Sequence, residues 1–483
     1  MKRLAVFLAS LVAGSLLANN LTVTNVTVLN AANGLADISF DLSWDNSWHN
    51  TWPEAGGAIN ITNWDAAWVF VKFRAAGGHW QHAILNASGH VATGGTQIET
   101  GANPAGQPVG AFVHRAADGN GTLNCPQMSL KWNYAATGLG GTNAVDVSVH
   151  AIEMVYIPQG AFYVGSGGSE VGAFYAGTNP AQPYQITSEA EITVGTNGLN
   201  HANASSGYWG YYVGDWLGPI PAAFPKGYNA FYVMKYEISQ GQYTDFLNFL
   251  DPGLATTTYF MNAYGSYRNT ISQTGMVYAC DAPDRACNNL IGSDLPVYLK
   301  WAALRPMDEL EYEKACRGPV YPVPNEYPWG DTLMTPMTGF SGVDGSGTET
   351  ATPANANANV GIGGPVRVGI FATATSGRHD AGASYYGVMN LGDNLTEIAV
   401  SVGNPNGRAF TNEPGDGNEW TPASTWPMNI GNVGFGIRGG CFQGSFAFTT
   451  SSRNWADNVY SQQPNINPIS ISSIGGRGVR SAP

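Results

Sequence analysis

"RPMDELEYEKACRG", residues Arg305–Gly318, is the stretch that restricts the fold of this chain most narrowly. It predicts a helix, because Pro306 suits a first helical turn, glutamates fill that turn and Gly318 supplies a stop. "YEISQGQYTDFLNFL", residues Tyr236–Leu250, predicts a second helix by the i, i+3, i+4, i+7 spacing of its apolar residues. The residues with that spacing are Tyr243, Phe246, Leu247 and Leu250. Beyond Gly318 the pattern favours loops with short strands.

Residues 19–152 have a different character. Short runs that alternate apolar and polar residues, such as "LTVTNVTVLN", "ADISFDLSW" and "AVDVSVHAIEM", are separated by Gly, Asn and Asp turns. About seven or eight such runs without a helical period are typical of an all-β sandwich. The sequence therefore predicts a loop-rich α+β domain over residues 153–483, preceded by an all-β sandwich domain over residues 19–152.

Five tryptophans are concentrated in that N-terminal region. One interpretation is a platform on which sugars stack, but alternating tryptophans in strands favour packing within the sheet. The five are Trp44, Trp48, Trp52, Trp64 and Trp68.

The first residues predict secretion. Lys2 and Arg3 precede an apolar run from Leu4 to Ala18 that is short for a bilayer-spanning helix. We therefore expect a signal peptide over residues 1–18 and a protein that is secreted, extracellular or at the cell surface; a membrane anchor is the alternative. No later apolar run approaches the length of a membrane span.

Charge and cysteine content exclude some functions. The chain has 21 Lys and Arg against 34 Asp and Glu, a net charge of −13, which argues against nucleic-acid binding. Its five cysteines lack the spacing of a zinc site. Cys280 and Cys287 flank the turn-rich "DAPDRA", where a local disulfide and two free buried thiols are both open.

Six motifs occur in order between Met154 and the C-terminal region: "MVYIPQGAFYVGS", "YEISQGQYTDFL", "LRPMDELEYEKACRG", "YPWGD", "YYGVMNLGDNLTEI" and "RGGCFQGS", closing on "GGRGVR". This series resembles the formylglycine-generating enzyme (sulfatase-modifying factor) domain family. The resemblance implies a variant of the C-type lectin fold for residues 153–483. The region before it resembles an accessory domain of secreted bacterial proteins.

The resemblance also implies which metals to expect. Oxidases of that family bind copper through two cysteines, at positions that correspond here to Gly444 and Thr449. Cys441, at the serine of the turn, does not replace a pair of soft ligands. A second branch binds iron through histidines of a helical domain, and after Met154 this chain has only His201 and His379. We therefore expect neither copper nor iron, and a non-catalytic member of the family.

Calcium is the one metal that the resemblance favours. In "MNLGDNLTE" the family's calcium loop implies ligation by the side chains of Asn390 and Glu397 and by the carbonyl oxygens of Asp393 and Leu395. Hard oxygen ligands in a loop suit Ca²⁺. The alternative is a polar turn with Glu397 on the surface.

In relatives of this family the C-terminal segment forms a binding surface, which corresponds here to residues 441–473. Its Asn, Ser, Tyr and Trp content is typical of adaptable contact surfaces. We expect Arg453 to anchor this segment. The residues expected to face a ligand are Asn454, Trp455, Asn458, Tyr460, Gln462 and Asn465.

These observations predict a secreted, non-catalytic protein that holds a glycan or a protein ligand. One alternative is self-assembly into an extracellular filament or surface layer, through the edges of the N-terminal β-domain. The other alternative is an oxidase of the formylglycine-generating type or another metal-dependent enzyme.

Overall fold

The computed structural model describes residues 20–483 apart from 55–56, 141–143, 203–212, 216, 256–262, 291–293, 359–360, 419–422, 428–432, 445–447 and 458–470. The predicted signal peptide, residues 1–18, therefore lies outside the described residues. No helix in the described part of the chain has the length and apolar character needed to cross a bilayer.

Strands dominate the described residues. Eight precede residue 158: β1 Thr22–Ala32, β2 Leu35–Glu54, β3 Ile59–Ala75, β4 Gln81–His82, β5 Thr96–Ala102, β6 Pro108–Arg115, β7 Gly119–Asn133 and β8 Val145–Ile157. The later strands are β9 Phe162–Val164, β10 Phe174–Ala176, β11 Tyr184–Ile186, β12 Leu199–His201, β13 Phe231–Met234, β14 Ile271–Thr274, β15 Val277–Cys280, β16 Arg305–Pro306, β17 Phe340–Ser341, β18 Thr350–Ala351, β19 Thr396–Val400, β20 Phe435–Arg438, β21 Ile474–Gly475 and β22 Gly478–Ser481. The helices are α1 Gln240–Phe249, α2 Pro252–Leu254, α3 Asp294–Trp301, α4 Glu309–Arg317 and α5 Pro405–Arg408.

One large antiparallel sheet crosses the whole molecule. Its strands follow the order β1-β2-β3-β8-β13-β22-β16, with β4 to β7 attached at the N-terminal side. The boundary that the sequence placed between residues 152 and 153 falls inside β8. This strand pairs with β3 on one side and with β13 on the other, so it belongs to both regions.

Strand β3 is buried on both faces. Ala67, Val69 and Val71 pack into a core formed by the N-terminal strands. Trp68 and Phe70, which alternate with them, pack into a second core with the helices. A nearly continuous apolar run is the expected sequence of a strand covered on both sides.

The two predicted helices are present as α1 and α4. Ser239 caps α1 through a capping box with Gln242, and Phe246 and Leu247 are buried as predicted. The start of α4 differs from the prediction, because Asp308 caps it and Pro306 lies before it in β16. Pairing of β16 with β22 gives Pro306 its position, and that partner is distant in sequence.

Helix α4 carries its charges into the interior. Glu309 accepts hydrogen bonds from Arg453 Nε at 2.6 Å and from Arg438 Nη1 at 3.3 Å. Glu313 accepts from Arg438 Nη2 at 2.8 Å and pairs with Arg317. All five side chains are 0–1% exposed. Buried charges are tolerated only when paired in this way, so α4 organises the segments that carry the arginines.

The Gly/Asn/Tyr-rich composition of the stretch between Gly167 and Tyr228 predicts an extended surface insertion. In its described part, Phe174, Leu199 and Phe224 are fully buried in the main core. The interpretation as a surface insertion was therefore wrong for these residues. Composition misled because the many glycine, asparagine and threonine residues of the stretch conceal the large apolar side chains among them that pack into the core.

Strand β1 lies at one end of the sheet, and its register is interrupted twice. Shifts against β2 fall between Thr24 and Thr27 and between Leu29 and Ala32. Asn25 and Asn30 lie at these bulges with φ of 56° and 52°. Their side-chain amides donate to Asp41 and Asp37 of β2 at 2.6 and 2.8 Å. The edge of the sheet is therefore kinked at regular positions.

Candidate functional site

The predicted C-terminal surface begins with an anchored arginine. Besides pairing with Glu309, Arg453 donates to the carbonyl oxygens of Gly172 at 3.1 Å and Val213 at 3.3 Å. The expectation that Arg453 anchors this segment is confirmed.

The two described members of that predicted surface are buried. Asn454 is 0% exposed and Trp455 is 4% exposed, so their expected exposure was wrong. Ile437 N–H donates to Trp455 O at 2.9 Å, which holds this segment against β20 and turns the indole into the main core. Asn458, Tyr460, Gln462 and Asn465 lie outside the described residues.

The predicted calcium residues lie together but contact other partners. Glu397 accepts from Arg477 Nε at 2.7 Å and Nη2 at 2.5 Å, a bidentate ion pair. Asn390 Oδ1 accepts from Gly369 N–H at 3.0 Å, and its amide donates to Asp393. The N–H of Leu395 donates to Glu237.

Calcium binding by this loop stays a prediction, which the pairing of Glu397 with Arg477 does not favour. The carboxylate that should supply most of the negative charge, Glu397, is already neutralised by the guanidinium of Arg477. Burial raises the pKa of Asp393 to about 7, which favours its neutral form in acidic solution. Among the described residues, no group of three or more His, Cys, Asp or Glu side chains is placed to hold a metal ion.

All five cysteines are free thiols, including Cys280 and Cys287, which do not form the disulfide left open by the sequence. Cys441 lies 1% exposed at the turn after β20. Burial raises the pKa of its thiol, which keeps it protonated and therefore a poor metal ligand and nucleophile.

A large concave surface lies elsewhere, where β2 faces the loops of residues 367–389. It is a groove of about 850 Å³. Trp48, Asn50 and Trp52 line one side from a single face of β2, since alternate residues of a strand point the same way. Tyr385 and Tyr386 also line the groove, from the loops of residues 367–389.

Hydrogen bonds hold the aromatic rings of the groove in place. Trp48 Nε1 donates to Asn63 Oδ1 at 2.7 Å, and Trp52 Nε1 donates to the Tyr385 hydroxyl at 3.2 Å. The Tyr385 hydroxyl in turn donates to Glu54. Both indoles are partly exposed, so the groove presents oriented aromatic surface before any ligand arrives.

The remaining lining is polar, and its charged side chains are hydrogen-bonded to neighbouring groups of the protein. Arg367 and Arg378 donate to the backbone oxygens of Glu349 and Pro328, at 2.8 and 2.7 Å. Asp45 accepts from Asn20 and from Thr122. The exposed polar groups of the groove are therefore mainly amides and hydroxyls, and they belong to Asn20, Asn46, Asn50, Thr348 and Thr373.

The five N-terminal tryptophans divide between two roles. Trp44 and Trp68 are fully buried, and Trp64 stacks on Tyr156 with ring centroids 3.7 Å apart. Sheet packing, the interpretation favoured from the sequence, describes these three. Trp48 and Trp52 instead line the groove. Their spacing on one strand face was visible in the sequence, but the facing tyrosines were not.

Neither a scan against models of known protein families nor a search of curated proteins finds a match for this chain.

Proposed function

We propose that this protein is a secreted, non-catalytic binding protein that holds an oligosaccharide in the groove between β2 and residues 367–389. The observation that carries the proposal is the pair Trp48 and Trp52, partly exposed on one face of one strand with Asn50 between them. Aromatic rings cover the apolar faces of sugars, and amides and hydroxyls hydrogen-bond to sugar hydroxyls, as in small-molecule sites generally.

The length of the platform favours an oligosaccharide over a single sugar. Trp52 lies four positions after Trp48 on the same strand, which corresponds to about 13 Å at the usual rise per residue. Arg367, Arg378 and Asp45 are engaged in hydrogen bonds within the protein, which leaves neutral amides and hydroxyls to contact a ligand and suits an uncharged sugar. A concave, narrow groove suits an extended chain better than the flat surface of a folded protein.

The family resemblance supports the same proposal. In a C-type-lectin-like scaffold of the formylglycine-generating type, Gly444 and Thr449 would occupy the positions of the two copper-binding cysteines. Such a scaffold lacks the thiols that the oxidases of this family use to bind copper. The proposed binding site is therefore the groove beside the N-terminal strands, and not segment 441–473, which the sequence predicted.

The proposal is tested by screening the mature protein against a panel of neutral and acidic oligosaccharides, followed by calorimetry. We expect Trp52→Ala to weaken binding by about 2 kcal/mol, close to thirtyfold, as for an aromatic hot spot. Tyr321→Ala, at an exposed tyrosine outside the groove lining, is the matched control and should bind normally. Unchanged binding by Trp52→Ala, or binding only to proteins, would contradict the proposal.

A further inference from the structure

Three buried charged side chains from adjacent backbone segments meet beside the groove. Asp65 belongs to β3, Glu153 to β8, and Lys235 directly follows β13. Each is at most 5% exposed. Lys235 Nζ lies 3.2 Å from Glu153 Oε2 and 3.7 Å from Asp65 Oδ2. The backbone N–H of Lys235 also donates to Glu153 O at 2.9 Å, which continues the sheet and fixes the lysine opposite the glutamate.

The two oxygens of Asp65 have different surroundings. Oδ1 accepts from Ser47 Oγ at 2.8 Å and from the Trp48 N–H at 3.0 Å. Oδ2, the atom nearer the lysine, accepts from Trp44 Nε1 at 3.0 Å. Two donors on Oδ1 would stabilise negative charge on that oxygen during attack at Cγ, as oxyanion-hole donors do. Burial raises the pKa of Asp65, which favours the acid form that a nucleophile can attack.

Lys235 is enclosed by aromatic rings. Its Nζ lies 4.7 Å from the centroid of the Trp48 ring and 5.4 Å from that of Tyr236. The neighbouring carboxylates and Tyr236 outweigh the effect of burial and raise the pKa of this lysine, so its resting form is the ammonium. It becomes a nucleophile only by passing a proton to a base in contact with it, and Glu153 is that base.

We propose that Lys235 and Asp65 form an intramolecular amide bond, with Glu153 as the group that moves the protons. Lys235 Nζ bonds to Asp65 Cγ, and the Cγ–Oδ2 bond breaks. Two of the three ammonium protons leave the nitrogen and depart with Oδ2 as one water molecule, at least one of them by way of Glu153. The reaction converts an ammonium and a carboxylate into an amide and water, and it requires no oxidant or cofactor.

The fold supplies what this condensation needs in water. Holding amine and acid within about 4 Å replaces a bimolecular encounter with an effective molarity on the order of 10⁵ M or more. The product carries two fewer buried charges, and buried charges are costly to keep out of water. Lys235 and Asn63 line the groove, which offers the leaving water a path to solvent.

The bond would join the region before β8 to the region after it. All five cysteines are free thiols, so no disulfide joins these two regions. Residues 65 and 235 lie far apart in the sequence, and cross-linking them would restrict the unfolded chain as a disulfide does.

Mass spectrometry of the purified mature protein tests the proposal. We expect an intact mass lower than the sequence mass by one water, and a branched proteolytic peptide linking Asp65 to Lys235. Lys235→Arg should restore the full mass of its sequence. Asp65→Asn should lose ammonia in place of water, a signature that a purely ionic pair cannot give. Lys314→Arg, at a buried lysine that donates to backbone carbonyls, should keep the loss of water.

Glu153→Gln tests whether Glu153 transfers protons or serves only in packing, since glutamine keeps the shape of glutamate and a hydrogen-bonding oxygen but is not a base. We expect this variant to fold, by circular dichroism, with no loss of water. A cross-link that forms normally in Glu153→Gln would remove Glu153 from the mechanism. A folded wild-type protein with its full sequence mass and no branched peptide would overturn the proposal and leave an ion pair only.

Discussion

At the residue scale, some buried charges of this protein are paired with an opposite charge, and others are held by backbone oxygens. Lys314 of α4 belongs to the second group. It is 1% exposed, and its Nζ donates to the carbonyl oxygens of Gly227 at 2.5 Å and Tyr228 at 3.2 Å. Burial lowers its pKa to about 7.

This shift predicts a pH-dependent stability. Between pH 7 and the ordinary lysine value near 10.5, the unfolded chain binds a proton that the folded chain has released. Stability therefore rises with pH in that window, by up to about 1.4 kcal/mol per pH unit. We expect the difference in unfolding free energy between wild type and Lys314→Met to change by this slope from pH 7.5 to 9.5, measured by urea denaturation. A difference that is constant over this range would mean that Lys314 keeps its proton in the fold.

At the scale of single elements, β1 bears on whether the protein assembles through its sheet edge. An exposed, straight edge strand offers unpaired N–H and C=O groups to another chain. In β1 the bulges at Asn25 and Asn30 interrupt that row of groups twice. Bulges of this kind are a common protection of edges, and they count against a filament built by pairing β1 with a neighbour.

The bulge at Asn25 leads to a prediction about backbone strain. Its left-handed φ of 56° is tolerated by asparagine and glycine, and it is costly for a β-branched side chain. We expect Asn25→Val to lower the unfolding free energy by roughly 1–2 kcal/mol, whereas Asn25→Gly should lose little beyond the hydrogen bond to Asp41. Urea denaturation of both variants checks this, and equal losses would show that the side-chain contact, not the backbone, matters there.

The elements also show what the sequence could predict. The cap and apolar stripe of α1 are local features, and both are present. The start of α4 depends on β22, which lies far away in the sequence, and the burial of Trp455 depends on its pairing with Ile437 of another strand. The groove was beyond prediction for the same reason, because Trp52 and Tyr385 are 333 positions apart. The calcium loop matched a motif, but Arg477, the group that neutralises Glu397, is outside that motif.

At the scale of the whole molecule, the two cores share one sheet. β3 and β8 contribute to both, since odd and even residues of β3 pack on opposite sides. Destabilising one core must therefore distort a strand that the other core needs.

We expect a single unfolding transition in calorimetry. Phe40→Leu, which removes volume only from the N-terminal core, should lower the temperature of that whole transition. Hydrogen exchange of α1, which packs in the other core, should accelerate in the same variant. Two separate transitions, or an effect confined to the N-terminal strands, would show instead that the regions unfold independently.

The pairing of β13 with β22 has a further consequence, for the order of events during synthesis. Val233 pairs with Val479, so every residue between them must leave the ribosome before this part of the sheet can close. Pairings between such distant strands form slowly, because the intervening chain must first be ordered. In a nascent chain, β3, β8 and β13 could therefore be paired while the edge of β13 that pairs with β22 is still unpaired. Unpaired strand edges are prone to aggregation. Correct folding therefore requires that this edge does not pair with another copy of the chain before residue 481 has been synthesised.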